Sequence, residues 1–297
     1  MNVSILSVRA GWHTDELLRA LSERGHVGVV VPYEGLVARI GVALRSEGVP
    51  LFESDAVLAR IIPSGSLEQI IYRVDALHWL EERGVPVINS PRAIERAVDK
   101  FYTSALLHEA GLPTVETVVC ERAGDAVAAV REFGDAVIKP IFGSMGHGLV
   151  RVNDPDVAFR VAKTLETTRA VFYVQRAIDH GGRDYRLFVV GGRVLAAIER
   201  RAADGDWRSN VARGATAAAF DAPPEWQEMA VHAAAAIEAD YAGVDLLQGQ
   251  DGCVYVLEVN GIPGWEGLQT ATGVDVAGAI VEHVTTRVRS KAVSRPA

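Results

Sequence analysis

The stretch GVDLLQGQDGCVYVLEVN, residues 243–260, constrains this chain more than any other. Two apolar runs flank a short turn of Gly, Gln and Asp, a pattern that demands an antiparallel hairpin. Side chains alternate along a strand, so Glu258 and Asn260 share one face, and pairing across Gln248 to Gly252 brings Asp245 near their level. A carboxylate inside so apolar a strand costs free energy unless something satisfies it. Three hard oxygen donors on one rigid hairpin suit Mg²⁺, which takes few protein oxygens and completes its shell with water and phosphate. The competing reading is a capped sheet end with solvated acids. It accounts for one acid easily, but not for three oxygens at this spacing.

Upstream, the chain reads in layers. NVSILSV, TDELLRALSERGH and VGVVVP give strand, helix and strand, with Thr14 or Asp15 near the helix start and Gly25 at its stop. SDAVLARI, SLEQIIYRVDALHWLEERG and VPVIN repeat the unit, so residues 1–90 are expected to form a small α/β domain on a parallel sheet. No G-x-G-x-x-G follows the first strand, which argues against a dinucleotide-binding domain. SPRAIERAVDKFYTSALLHEAGLP reads as one helix from Ser90 or Pro91 to Gly111. Residues 91–175 are expected to form one α+β lobe. Residues 176–290 form a second, with a hairpin at Gly191-Gly192 and a long helix over PPEWQEMAVHAAAAIEADY, and 291–297 a frayed tail.

Three further features carry chemistry. Lys139 ends the apolar run DAVIK just before Gly143, Ser144, Gly146 and Gly148, placing an ammonium beside a loop whose N–H groups can wrap a phosphate. Read alone, that loop is equally a hairpin turn, and it lacks the G-K-[ST] of a Walker loop. Arg200, Arg201, Arg208 and Arg213 fall within 14 residues, with Asn210 among them. Guanidinium forks match carboxylates and phosphates, so the cluster points to an anionic substrate rather than to a charged surface loop. Lys100 lies on a helix, where spacing alone makes a solvated lysine the plainer reading.

Composition narrows the classes. A formal charge of −8 argues against nucleic acid or an anionic membrane as partner. Cys120 and Cys253 stand alone in apolar stretches and read as buried thiols, and the eight histidines show no ligand spacing, although His147 lies within the glycine loop. MNVSILSVRAG has no basic n-region, and no window is apolar enough to span a bilayer. A cytoplasmic enzyme is the expectation.

Lys100, Lys139 with its glycines, YVQRAI, Asp184, DWRSNVARGA and the Asp245/Glu258/Asn260 trio stand in an order that resembles, over nearly the full length, the ATP-grasp ligases of RimK type, the α-L-glutamate ligases. The resemblance implies two α+β lobes clasping ATP and an N-terminal α/β domain at the acceptor site. It implies that Lys100, Lys139, Gly143, Ser144 and Gly146 meet the phosphates, that Gln175, Arg176, Ala177 and Ile178 form the hinge against adenine, and that Asp184 lies near the ribose. Arg208 and Asn210 would approach the phosphates, Arg200, Arg208 and Arg213 would serve catalysis, and Asp245, Glu258 and Asn260 would hold Mg²⁺ or Mn²⁺. The implied partners are L-glutamate and a carboxylate acceptor, in a homo-oligomer, dimer or tetramer. The turn Gly261-Ile262-Pro263-Gly264-Trp265 departs from the ribosomal-protein ligase, and ARIIPSGSLEQIIYRVDALHWLE is similar instead to ligases of one-carbon carrier cofactors such as tetrahydromethanopterin or methylofuran. Trp265 either stacks on such an acceptor or packs inside. A ligase for a protein tail or an amino-group carrier protein is the second reading, and a non-catalytic ATP-binding regulator the third.

Overall fold

A computed structural model describes residues 1–143, 148–203 and 216–293. The N-terminal part runs β1 (Asn2–Ser7), α1 (Trp12–Glu23), β2 (Val27–Pro32), β3 (Leu36–Arg39), β4 (Ala43–Ser46), β5 (Val49–Pro50), β6 (Ala56–Ala59), α2 (Leu67–Glu82) and β7 (Val87–Ile88). Its parallel sheet has the order β2-β1-β6-β7, as the strand–helix–strand repeats require. A small antiparallel sheet, β3-β4-β5, is inserted after β2; its short strands carry no clear alternation and escape sequence reading. Helix α1 starts at Trp12 behind Gly11, earlier than Thr14 or Asp15, because the Thr14 hydroxyl reaches back to both the N–H and the carbonyl of Gly11.

The single helix read over residues 90–111 is two: α3 (Pro91–Val98) and α4 (Lys100–Glu109). Asp99 leaves helical geometry, and its carboxylate accepts from the Tyr102 N–H at 3.0 Å, so a new N-cap breaks the helix there. This makes Lys100 the first residue of α4. The central lobe follows as β8 (Thr117–Cys120), α5 (Ala123–Phe133), β9 (Ala136–Pro140), β10 (Val150–Val152), α6 (Pro155–Glu166) and β11 (Phe172–Arg176), with antiparallel order β10-β9-β11-β8. Its core, including Val130, Phe133, Ile138, Phe172 and Val174, is its own.

The C-terminal lobe comprises β12 (Arg183–Val190), β13 (Arg193–Arg201), β14 (Thr216–Ala219), α7 (Pro224–Ala236), β15 (Tyr241–Gln248), β16 (Val254–Asn260), α8 (Glu266–Thr272) and α9 (Val276–Val293). Its antiparallel sheet has the order β14-β13-β12-β15-β16. One face packs on α7 through Leu187, Val189, Val244 and Val259. The other face shares a core with the N-terminal domain, in which Phe188, Val190, Tyr241 and Trp265 meet Val3, Ile5, Leu17 and Leu21. Chain order separates residues 1–90 from 176–290, but burial joins them. The cysteines do not follow expectation: Cys120 is half-buried and Cys253 is exposed in the β15–β16 turn.

Candidate active site

The site grows from the hairpin β15–β16, where Asp245 stands opposite Glu258 and Gly243 opposite Asn260. The register slips beyond this pair, so Leu246 faces Val256 and Leu257 is the extra residue of a bulge. The bulge lets Val256 and Val259, three positions apart, both enter the core under α7, and turns Glu258 and Asn260 to the opposite face.

That face is charged. Arg186 on β12 pairs in register with Asp245 and grips it with two bonds, Nε to Oδ1 and Nη2 to Oδ2, each 2.7 Å. Arg200 on β13 lies 3.1 Å from Asp245 Oδ2 and forks onto Asp184 at 2.5 and 2.9 Å. Asp184, Arg200 and Asp245 are all buried. Burial alone would raise the Asp245 carboxyl, but Arg186 and Arg200 outweigh it and hold the group below the ordinary aspartate value. Burial likewise pulls Arg200 down, and Asp245 and Asp184 push it above its usual value. With its amide assigned from its neighbours, Asn260 donates to Glu258 Oε1 at 3.1 Å and accepts from Arg186 Nη2 at 3.3 Å.

The donor set is two carboxylates and an amide oxygen on one rigid hairpin, which fits a hard divalent cation. Among the described residues no three His, Cys, Asp or Glu side chains cluster to hold a metal. The protein's share would therefore be small, with phosphate oxygens and water supplying the rest. A cation at Asp245 has to share that carboxylate with two guanidinium groups.

Facing this wall, the central lobe presents Lys139 and Lys100. Lys139 Nζ donates to Gln175 Oε1 at 2.7 Å and stands 5.7 Å from the Tyr173 ring centroid. Lys100 Nζ donates to Gly143 O at 2.7 Å and Ile141 O at 3.3 Å, the stem of the glycine loop. Burial lowers both ammonium groups, Lys139 to about 8, while the charge of Glu258 acts on each in the opposite sense. The charge of Glu258 thus reaches both lysines.

The remaining expectations divide. The Gln175 side chain is turned to Lys139, Thr117 and Tyr173, and the N–H groups of Arg176 and Ala177 donate to Glu116 O and Asp135 O. The Arg176 guanidinium pairs with Glu116, and Ile178 follows at the lobe junction. Asp184 is bound to Arg200. Ser144, Gly146 and His147 of the glycine loop, and Arg208, Asn210 and Arg213, lie outside the described residues. Trp265 is 0% exposed, wedged against His13 and Arg60, so it packs inside and cannot stack on an acceptor. Arg186 was not singled out from the sequence; its signal is its place two residues after Asp184 on the same strand face.

Two lobes closing a cleft lined by lysines on one side and an acid–arginine sheet on the other define an ATP-grasp fold. The chain belongs to the RimK-like ATP-grasp family, whose model matches residues 97–284. A tetrahydromethanopterin:alpha-L-glutamate ligase of Methanosarcina acetivorans is 34% identical over 309 residues, covering 92% of this chain and 95% of that one. A probable alpha-L-glutamate ligase of Trichodesmium erythraeum is 36% identical, covering 96% of each. The fold is also that of the ATP-grasp ligase PsnB complexed with minimal precursor, Mg and ADP, at TM-score 0.75 and 21% identity over 97% of this chain and 98% of that chain. No helix among the described residues is long and apolar enough to cross a membrane.

Proposed function

We propose that this protein is an ADP-forming ligase that phosphorylates an acceptor carboxylate with ATP and joins the resulting acyl phosphate to the amine of L-glutamate. The observation that carries the reading is the confrontation of Lys100 and Lys139 with the Arg186–Asp245–Arg200–Asp184 network, a lysine pair opposite a charge-balanced acid–arginine wall, with the charge of Glu258 acting on both lysines. Lys100 and Lys139 would hold the phosphates. Arg186, the more exposed of the two arginines, would hold the acceptor carboxylate against the γ-phosphate, and Arg200, buried on Asp184 and Asp245, would add its charge from behind to offset what builds on the transferring group. A divalent cation at Asp245, Glu258 and Asn260 would supply Lewis-acid stabilisation of that charge. The glutamate amine then attacks the acyl carbon, phosphate leaves, and no covalent bond to the enzyme forms. Orientation and exclusion of water do most of the work.

The relatives' names favour a small pterin-like acceptor over a protein tail, and the arginines ask only for a carboxylate. The exposed apolar side chains Val37, Ile40 and Val42 on the β3–β4 hairpin favour the homo-oligomer; a monomer in light scattering at assay concentration overturns that part.

The test is ADP release with glutamate against pterin, furan and peptide carboxylates, with mass analysis of the product. ADP release must depend on both substrates, and equal ATPase rates without either overturn the ligase reading. Glu258→Gln should lower turnover by about 100-fold or more, beyond the cost of losing a metal's outer-shell partner, with the fold intact. Unchanged turnover removes Glu258 from the site.

A further inference from the structure

The five residues after Asn260, Gly261 to Trp265, form a turn held by the N-terminal domain at three separate backbone atoms. Asn89, at the end of β7 and 0% exposed, donates from Nδ2 to Gly261 O at 2.5 Å and to Tyr241 O at 2.7 Å. Its Oδ1 accepts from the Asp240 and Tyr241 N–H groups at 2.7 and 3.1 Å. Arg60, just past β6 and 3% exposed, donates from Nη2 to Pro263 O and from Nη1 to Tyr241 Oη, both at 3.2 Å, with its guanidinium 4.6 Å from the Trp265 ring centroid. His13 Nε2 accepts from the Trp265 N–H at 3.1 Å. Burial and then Arg60 push the His13 imidazole down to about 4, so the ring is neutral and able to accept.

The turn is also confined on its active-site side. A side chain at Gly243, the residue opposite Asn260, would meet Pro263 Cβ at 3.0 Å and Arg186 Nε at 3.5 Å. At Gly261 it would meet Ala97 Cβ at 2.9 Å. Pro263 therefore lies one side chain from Arg186 and the strand of Asp245. Among the described residues no carboxylate forms an ion pair with Arg60. Its buried charge is met by a carbonyl, a phenol and an indole face, all on the C-terminal lobe.

We infer that Arg60 is a positioning residue of the active site: through Pro263 O and Trp265 it fixes the turn that sets Asn260 and Glu258 against Asp245. The N-terminal domain is then an outer shell for the cation as well as a wall of the acceptor site. This rests on the reading of Asp245, Glu258 and Asn260 as metal ligands.

The test measures Mn²⁺ binding to the full-length protein–ADP complex by electron paramagnetic resonance, with metal-free ADP affinity and thermal melting alongside. Arg60→Met keeps the packing on Trp265 and removes the donors. It should weaken Mn²⁺ binding by up to about tenfold, the low end of the loss for a group bonded directly to a ligand because Arg60 acts one step further out through the turn, while metal-free ADP affinity holds. Arg60→Lys, which restores a charged donor, should recover part of the loss. Tyr33→Phe removes a bond inside the N-terminal domain, Tyr33 Oη to Arg60 O at 3.2 Å, while leaving the Arg60 guanidinium and the turn intact, and should leave Mn²⁺ binding unchanged. Wild-type Mn²⁺ affinity in folded Arg60→Met overturns the inference, as does an equal loss in Tyr33→Phe. Glu258→Gln separates the two levels. If it leaves Mn²⁺ binding intact, the metal reading itself fails; if it weakens binding and Arg60→Met does not, only the role of Arg60 fails.

Discussion

The face of the five-stranded sheet that carries the acids changes character halfway along its strands. At one end Phe188 and Val190 of β12, Ile198 of β13 and Tyr241 of β15 are sealed under the N-terminal domain, α8 and α9. Two to six positions away on the same faces of the same strands stand Asp184 and Arg186, Arg200, and Asp245. Both ends are nearly as dry, since Phe188 is 0% and Asp245 4% exposed. What differs is how burial is balanced. Apolar side chains gain free energy by leaving water, whereas each charge at the other end is tolerable only because an opposite charge bonds to it. The sealed end holds the scaffold and the charged end is poised for a ligand, so a substitution at each should fail in a different way.

The largest effect is expected at the sealed end. Phe188→Ala should cost about 3–5 kcal/mol in urea unfolding, because the surrounding core closes only partly around the lost ring. Nucleotide affinity, measured where the variant remains folded, should hold. Lost affinity with unchanged stability would erase the distinction between the two ends. Next is Arg200→Met, which takes from Asp184 the guanidinium that both its oxygens accept and leaves Asp245 with Arg186. The cost should be about 3 kcal/mol, near the lower end for a broken buried pair because Asp245 keeps Arg186. Adding Asp184→Asn should restore much of the stability but none of the turnover. A double variant no more stable than the single would show that the pair is not coupled.

The same contrast explains what was legible in the sequence. The hairpins at Gly191-Gly192 and at 249–253 announce themselves by glycines between apolar runs, and both form. Asp245, Glu258 and Asn260 stand out because oxygen is costly inside an apolar strand, and the structure brings them together. Arg186 is just as odd in RDYRLFVV, but arginine at a strand's mouth looks ordinary until β15 lies beside it. The break at Asp99 is local chemistry that periodicity over 24 residues conceals, since α3 and α4 carry one continuous apolar pattern. The core shared by residues 1–90 and the C-terminal lobe could not be read at all: nothing in the spacing of Leu17 or Leu21 tells that Trp265 will meet them. Nor does the sequence decide Trp265, whose place inside depends on His13 and Arg60 arriving from the far end of the chain.

The smallest effect sharpens the charged end from across the cleft. Burial pushes the Lys139 ammonium down to about 8, with Glu258 pulling it up and Lys100 pushing it down, so the folded value lies below the unfolded 10.5. Folding therefore disfavours the charged form, and Lys139 should contribute more to stability as pH rises from about 8 toward 10.5. A bound phosphate reverses the preference, because it stabilises the ammonium and raises its pKa. Below about pH 8 the lysine is charged with or without nucleotide, and affinity should be flat. Above it, binding must draw a proton from solution, so affinity should fall by up to about tenfold per pH unit until the bound-state value is reached. Calorimetry of ADP binding in buffers of different ionisation enthalpy reads this as proton uptake that begins near pH 8. Lys139→Arg stays charged throughout and should flatten both the affinity profile and the uptake. A wild-type profile already flat from about pH 7 to pH 10 would mean that Lys139 does not face the phosphates, and that the charge opposing the acid–arginine wall is supplied from elsewhere.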